Sequence, residues 1–176
     1  MFTPAARIII GIFGLAIAWG FYSLGYREVA LVMLSSVVLI IWGYFRNGTV
    51  YQAFKQLKQK NFDKAEKLLA VIKYPHVLNK NQKSYYHFAK GIIEHNKEHP
   101  DESYHQLKLA LELGLRSEND TAIATLHMAD IELGRKNYDE AKAYLLSLKS
   151  LKYKPELDDE IEKVQEELEK SSTNTL

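Results

Sequence analysis

The chain reads Asn137-Tyr138-Asp139-Glu140-Ala141 in its last third, and it carries related stretches at residues 61–65 and 99–103. The three copies stand 38 residues apart. Two further sets of residues keep the same spacing, one of leucines and one of small residues: Leu69, Leu107 and Leu145; Ala53, Gly91 and Ala129. A fixed period between about 20 and 50 residues is typical of stacked repeat arrays. Such arrays form extended binding surfaces, so the pattern favours a scaffold.

The composition excludes some chemistry and reveals an uneven distribution of charge. The 176 residues contain no cysteine, which excludes disulfides, thiolate catalysis and cysteine metal sites. The net charge of +1 conceals two halves of opposite sign. Residues 46–97 hold 11 Lys and Arg against 3 Asp and Glu, whereas residues 98–176 hold 10 against 18. The first 45 residues carry only Arg7, Arg27 and Glu28 as charges.

Residues 1–46 predict a helical hairpin. Two uncharged segments, Ile8–Tyr26 and Val29–Phe45, are joined by a short turn around Arg27 and Glu28. At about 1.5 Å of helix rise per residue, each lies near the lower limit for crossing a hydrocarbon core of about 30 Å. We expect two transmembrane spans, about residues 8–25 and 29–45. A cleaved signal peptide or a buried soluble hairpin is the less favoured interpretation, because two apolar spans follow directly on one another and neither shows a polar face.

Charge next to the hairpin predicts its orientation. Lys and Arg residues are more frequent at its open end than at its turn, and this bias places both termini in the cytoplasm. The predicted location is therefore the bacterial inner membrane, as a multi-pass protein. The basic residues of the segment 46–97 would then face the anionic inner leaflet.

The remainder of the chain predicts paired helices, which gives an all-α fold. Residues 47–154 contain three helix pairs, and apolar residues recur in them at helical spacing. Residues 155–170 predict a charged helix with a narrow apolar stripe, which would cap the array. A coiled-coil strand is the alternative for that helix, but it has few heptads. Residues 171–176 are expected to form a frayed tail.

These helix pairs resemble the tetratricopeptide repeat family over about residues 47–153. The second helix of that repeat opens with an aromatic residue, an acidic pair and an alanine. The matching stretches are Tyr138-Asp139-Glu140-Ala141, Phe62-Asp63-Lys64-Ala65, and, for the second unit, Gly91 with Ala110-Leu111-Glu112-Leu113. The period of 38 residues exceeds the usual value of about 34, and Pro100 and Ser103 replace the aromatic residue and the alanine.

The resemblance implies that the first helix of each pair lines a concave groove. The groove residues expected from it are Phe54, Lys58, Tyr85, Phe88, Ile92, His95, Asn96, Leu126 and Asp130. Apolar residues stand at Phe88 and Ile92, where the family's chaperone-binding members carry polar clamp residues. The resemblance therefore implies that the groove accepts an amphipathic helix of a protein partner.

Enzymatic chemistry is not indicated. The stretch from His95 to His99 matches the H-x-x-E-H pattern of some zinc peptidases, but Pro100 follows directly and separates the two histidines onto different helices. We expect no metal, no cofactor and no catalytic residues. The basic half could suggest nucleic acid, but the acidic half and the expected bilayer make a membrane-facing role the better prediction.

The sequence thus predicts a membrane-anchored adaptor that binds a protein partner at the cytoplasmic face. The alternative is a small subunit of a larger membrane complex, in which the hairpin is the functional element and the repeats are an assembly handle.

Overall fold

The structure is a computed structural model that describes residues 4–47 and 49–173, with side chains described for residues 12–39 and 49–171. Every regular element in these residues is a helix. The chain divides into two compact units, Met1–Gly48 and Thr49–Leu176.

The first unit is a hairpin of α1 (Pro4–Ser23) and α2 (Arg27–Asn47). The turn between them passes through Gly25 at a φ of +87°, a conformation that glycine adopts without strain. The two helices approach closely at Gly14, where an added Cβ would lie 2.8 Å from Val37 Cγ2. The small residues Ala18 and Ala30 are buried in the same unit.

No helix in residues 4–47 and 49–173 has the length and apolar character that a membrane crossing requires. The prediction of two transmembrane spans is therefore wrong. With it fall the multi-pass inner-membrane location, the cytoplasmic orientation of both termini and the contact of the basic half with an anionic leaflet.

The lengths of the helices give the physical reason. Because α1 ends at Ser23, its uncharged helical run from Ile8 holds 16 residues and is about 24 Å long. The uncharged run of α2, Val29–Phe45, holds 17 residues and is about 26 Å long. Both fall short of a hydrocarbon core of about 30 Å.

The second unit contains three consecutive helix pairs and a final helix. Short 3₁₀ turns at Pro75–Val77 and Pro155–Leu157 precede the second pair and the final helix. The helices are α3 (Val50–Lys58), α4 (Phe62–Ala70), α5 (Lys80–Asn96), α6 (Pro100–Leu113), α7 (Glu118–Gly134), α8 (Tyr138–Leu148) and α9 (Asp158–Thr173).

The joint inside each pair repeats with the period of the sequence. Lys60, Glu98 and Lys136 stand 38 residues apart and have positive φ values of 58°, 60° and 63°. At each joint the next amide donates to a carbonyl five residues back, as from Asn137 N to Glu132 O at 2.9 Å, which closes the helix end. The same backbone conformation thus turns the chain at three equivalent places.

Small residues let the two helices of each pair pack closely. Ala53 packs with Ala65, and Ala129 packs with Ala141, all four with no exposed surface. In the middle pair Gly91 takes the place of the alanine. Its carbonyl accepts a hydrogen bond of 2.9 Å from the fully buried Ser103 hydroxyl, so the serine is satisfied inside the core.

The final helix α9 covers the apolar end of the last pair. Ile161 and Val164 belong to one buried cluster with Leu126, Leu145 and Leu148 of α7 and α8. Its remaining residues are mostly exposed and carry the acidic charge. α9 continues through Thr173, and residues 174–176 of the expected tail lie outside the described residues.

Candidate partner-binding groove

An aromatic cluster spans the first helices of the first two pairs. The Phe54 ring of α3 lies 5.1 Å from the Tyr85 ring and 5.9 Å from the Phe88 ring of α5, measured between centroids. Phe88 is buried, whereas Phe54 and Tyr85 are partly exposed. Lys58 Nζ lies 4.5 Å above the Phe54 ring, a cation–π contact at the edge of the cluster. The cluster therefore offers aromatic surface beside a positive charge.

Tyr85 also joins the second and third helix pairs. Its hydroxyl donates a hydrogen bond of 2.8 Å to Asp120 Oδ2 in the first turn of α7. Asp120 is 4% exposed. Burial, and then the hydrogen bond and charge of Asp120, raise the pKa of Tyr85 to about 12. Tyr85 is therefore neutral and a hydrogen-bond donor at physiological pH.

A cavity of about 290 Å³ opens beside this tyrosine. Two of its lining residues are polar groups without a partner. Gln82 Oε1 is buried and has no hydrogen-bond partner among the described residues. Arg116 is exposed, and none of the ion pairs in the described part of the chain includes it. The lining residues are Val50, Tyr51, Phe54, Asn81, Gln82, Tyr85 and Arg116.

Two histidines and an aspartate meet near the far ends of α5 and α7. His95 Nε2 lies 3.5 Å from Asp130 Oδ2, and the His95 and His127 rings are 4.4 Å apart. Burial, and then the charge of His95, lower the pKa of His127 to about 3, so His127 is neutral at physiological pH. No group of three or more metal-ligating side chains suited to a metal ion occurs in the described residues, this trio included.

Six of the expected groove residues lie in two local groups. Phe54, Lys58, Tyr85 and Phe88 form the aromatic cluster, and His95 and Asp130 form the contact at the opposite end.

The other three are placed differently. Ile92 is partly buried between the clusters around Leu57 and Phe88. Leu126 is buried in the core that α9 covers, so it does not line an open surface. Asn96 is exposed as the last residue of α5.

The H-x-x-E-H stretch is split by the second joint. His95 belongs to α5, whereas His99 is the residue that precedes α6. Glu98 between them has a φ of +60°. His99 Nδ1 contacts Glu94 Oε2 at 2.9 Å, while His95 faces Asp130. The two imidazoles therefore have different partners and do not converge.

Sequence reasoning missed Gln82, Arg116 and His127. Arg116 lies in the connection between α6 and α7, which has no counterpart in the repeat register. Gln82 belongs to the first turn of α5, where a polar residue is unremarkable. His127 could have been found, because it lies 38 residues after Ala89, a buried position of the preceding pair.

Comparisons of the chain with protein-family models, with curated proteins and with solved structures found no match.

Proposed function

We propose that this protein is a non-catalytic adaptor, and that the surface formed by α3, α5 and α7 binds a protein partner. The observation that carries this proposal is the aromatic cluster of Phe54, Tyr85 and Phe88, which is partly open and adjoins both Lys58 and the cavity at Gln82. Aromatic side chains beside a cationic group are typical of the residues that dominate binding energy at protein interfaces.

The arrangement suits an extended or helical segment of a partner better than a small reactant. The aromatic cluster lies on α3 and α5, and the Tyr85–Asp120 hydrogen bond continues the surface to α7. Three helices presented side by side can contact several apolar residues of an amphipathic segment at once. The positive balance of residues 46–97 would favour a segment with acidic flanks.

The experiment is a crosslinking pull-down with the full-length chain and two variants of matched charge change. Lys58→Glu reverses the charge over the Phe54 ring, whereas Lys149→Glu makes the same change on an exposed residue after α8. We expect one partner to be lost with Lys58→Glu and with Phe54→Ser and to be retained with Lys149→Glu. Equal recovery with all variants would contradict the proposed surface.

A second candidate function is supported by the hairpin unit. Large apolar side chains there are more than 60% exposed: Ile12, Phe13, Trp19, Leu24, Tyr26, Leu31, Val32 and Leu39. Exposed apolar surface of this extent is typical of an interaction site. In this alternative the hairpin packs against other polypeptides of a larger assembly, and the repeats act as a handle. Trp19→Gln with Leu31→Gln would then abolish recovery of the partner, and Lys58→Glu would not.

A further inference from the structure

We propose that the cavity beside Gln82 is the specificity pocket of the groove, and that it receives one tryptophan side chain of a partner segment with a carboxylate next to it. This inference rests on the proposed adaptor function and adds the chemistry of the partner.

The walls and size of the cavity favour a single flat aromatic side chain. Phe54 and Tyr85 are in edge-to-face contact, and Tyr51 is 58% exposed on the same side of α3. Aromatic rings pack favourably in offset or edge-to-face geometry on such walls. Pockets that enclose a whole drug-sized ligand measure about 300–1,000 Å³. A cavity of about 290 Å³ lies just below that range and suits one large side chain.

The unpartnered amide oxygen of Gln82 selects among aromatic side chains. A buried acceptor without a donor costs free energy in the unbound protein, and a donor from the ligand recovers that cost. Phenylalanine has no donor. The indole N–H of tryptophan only donates, so it matches a lone acceptor, whereas a tyrosine hydroxyl also needs a donor for its own oxygen.

Arg116 selects the charge of the neighbouring group. It is the one charged residue among those that line the cavity, and it has no ion pair in the described residues. A guanidinium binds a planar carboxylate with two parallel hydrogen bonds. A single cation balances one carboxylate and leaves a doubly charged phosphate partly uncompensated.

The probe is N-acetyl-L-tryptophan, which combines the indole donor with one carboxylate, and its matched control is N-acetyl-L-tryptophanamide, which lacks the charge. Binding to the full-length protein is followed by saturation-transfer NMR on the ligand signals, because Trp19 and Trp42 would interfere with fluorescence. We expect the carboxylate form to bind about threefold more tightly than the amide, the size of an exposed ion pair.

Three variants test the assigned roles. Arg116→Ala should reduce the affinity for the carboxylate form to that for the amide and leave the amide unaffected. Gln82→Leu should weaken both probes about fivefold, the value of one hydrogen bond. Lys108→Ala removes an exposed positive charge on α6, outside the cavity, and should change neither probe. Because Gln82→Leu removes an unsatisfied buried group, its melting temperature should not fall, so weaker binding cannot be ascribed to unfolding.

Each outcome supports or overturns the inference. Absence of binding by N-acetyl-L-tryptophan, or equal binding to wild type, Arg116→Ala and Gln82→Leu, would overturn it. If the pull-down still depends on Lys58 and Phe54 in that case, the adaptor proposal stands and only the pocket assignment fails. If the probes behave as expected but Lys58→Glu and Phe54→Ser retain the partner, the pocket assignment stands and the proposed surface fails.

Discussion

The hydroxyl of Tyr85 on α5 donates a hydrogen bond of 2.8 Å to the carboxylate of Asp120 on α7, across 35 positions of sequence. This bond connects the second and third helix pairs at the cavity. Replacing Tyr85 by phenylalanine leaves a buried carboxylate without this donor, and such a loss costs about 1–3 kcal/mol. We therefore expect Tyr85→Phe to lower the free energy of unfolding by that amount in urea denaturation.

Tyr86→Phe is the matched control for this change. Tyr86 is partly buried on the same helix, and its hydroxyl has no hydrogen bond among the described residues. Its removal should change the free energy of unfolding by less than about 0.5 kcal/mol. Equal effects of the two substitutions would contradict a specific role for the Tyr85–Asp120 bond.

Tyr85 also gives stability at alkaline pH a defined direction. Its pKa is about 12 in the folded protein, above the value of 10.0 of an unperturbed tyrosine. Between these two values the folded state retains a proton that the unfolded state loses, so stability falls as pH rises from about 10 to about 12. Tyr85→Phe should make the loss of stability over this range less steep in denaturation curves measured at successive pH values. Tyr86→Phe should leave the slope unchanged.

Gly91 and Gly134 provide a second matched pair. A Cβ on Gly91 would lie 2.7 Å from Leu107 Cγ and 3.2 Å from the Leu107 backbone nitrogen, whereas a Cβ on Gly134 would meet nothing within 4 Å. Gly91→Ala should therefore destabilise the protein by about 1–3 kcal/mol through overpacking. Gly134→Ala should stabilise it by up to about 1 kcal/mol, because alanine is the better helix former. Thermal denaturation should show shifts of opposite sign.

The repeat architecture was legible in the sequence because its determinants are local. The 38-residue register in the phrase at residues 61–65, 99–103 and 137–141 coincides with the joints at Lys60, Glu98 and Lys136. Each joint is specified by the few residues around it. The tetratricopeptide assignment itself remains a prediction, since no comparison bears on it.

The hairpin prediction failed at its turn. The apolar residues Leu24 and Tyr26 were counted with the first span, although the chain leaves the helix after Ser23 and turns through Gly25. Hydropathy does not distinguish an apolar turn from the end of an apolar helix. The length of uninterrupted helix, which decides whether a span is possible, therefore could not be read from the pattern alone.

The candidate site was only partly predictable, for a different reason. Phe54, Tyr85 and Phe88 follow from helical periodicity within two adjacent pairs. The cavity also requires Gln82 and Arg116, which come from a helix start and from a connection without a repeat counterpart. Leu126 shares its repeat position with Phe88, yet α9 draws it into the core. These placements depend on tertiary packing rather than on local pattern.

His127 predicts a loss of stability in acid. Its pKa is about 3 in the folded protein, below the ordinary 6.5, because burial and His95 disfavour the charged ring. As pH falls from about 6.5 towards 3, the unfolded state binds a proton that the folded state does not, so stability declines by at most about 1.4 kcal/mol per pH unit. His127→Gln should make this decline less steep in denaturation curves, while His76→Gln, at an exposed position, should not.

Lys136 offers a direct test of the joints. A non-glycine residue in the left-handed region is strained by about 1 kcal/mol, and Lys136 has a φ of +63°. Lys136→Gly should therefore raise the free energy of unfolding by about 0.5–1 kcal/mol, since glycine adopts this conformation without the Cβ penalty. Lys142→Gly, the same change at an exposed position inside α8, should instead lower it by about 1 kcal/mol. Destabilisation by both substitutions in urea would show that the joint gains nothing from glycine and would contradict the strain assigned to it.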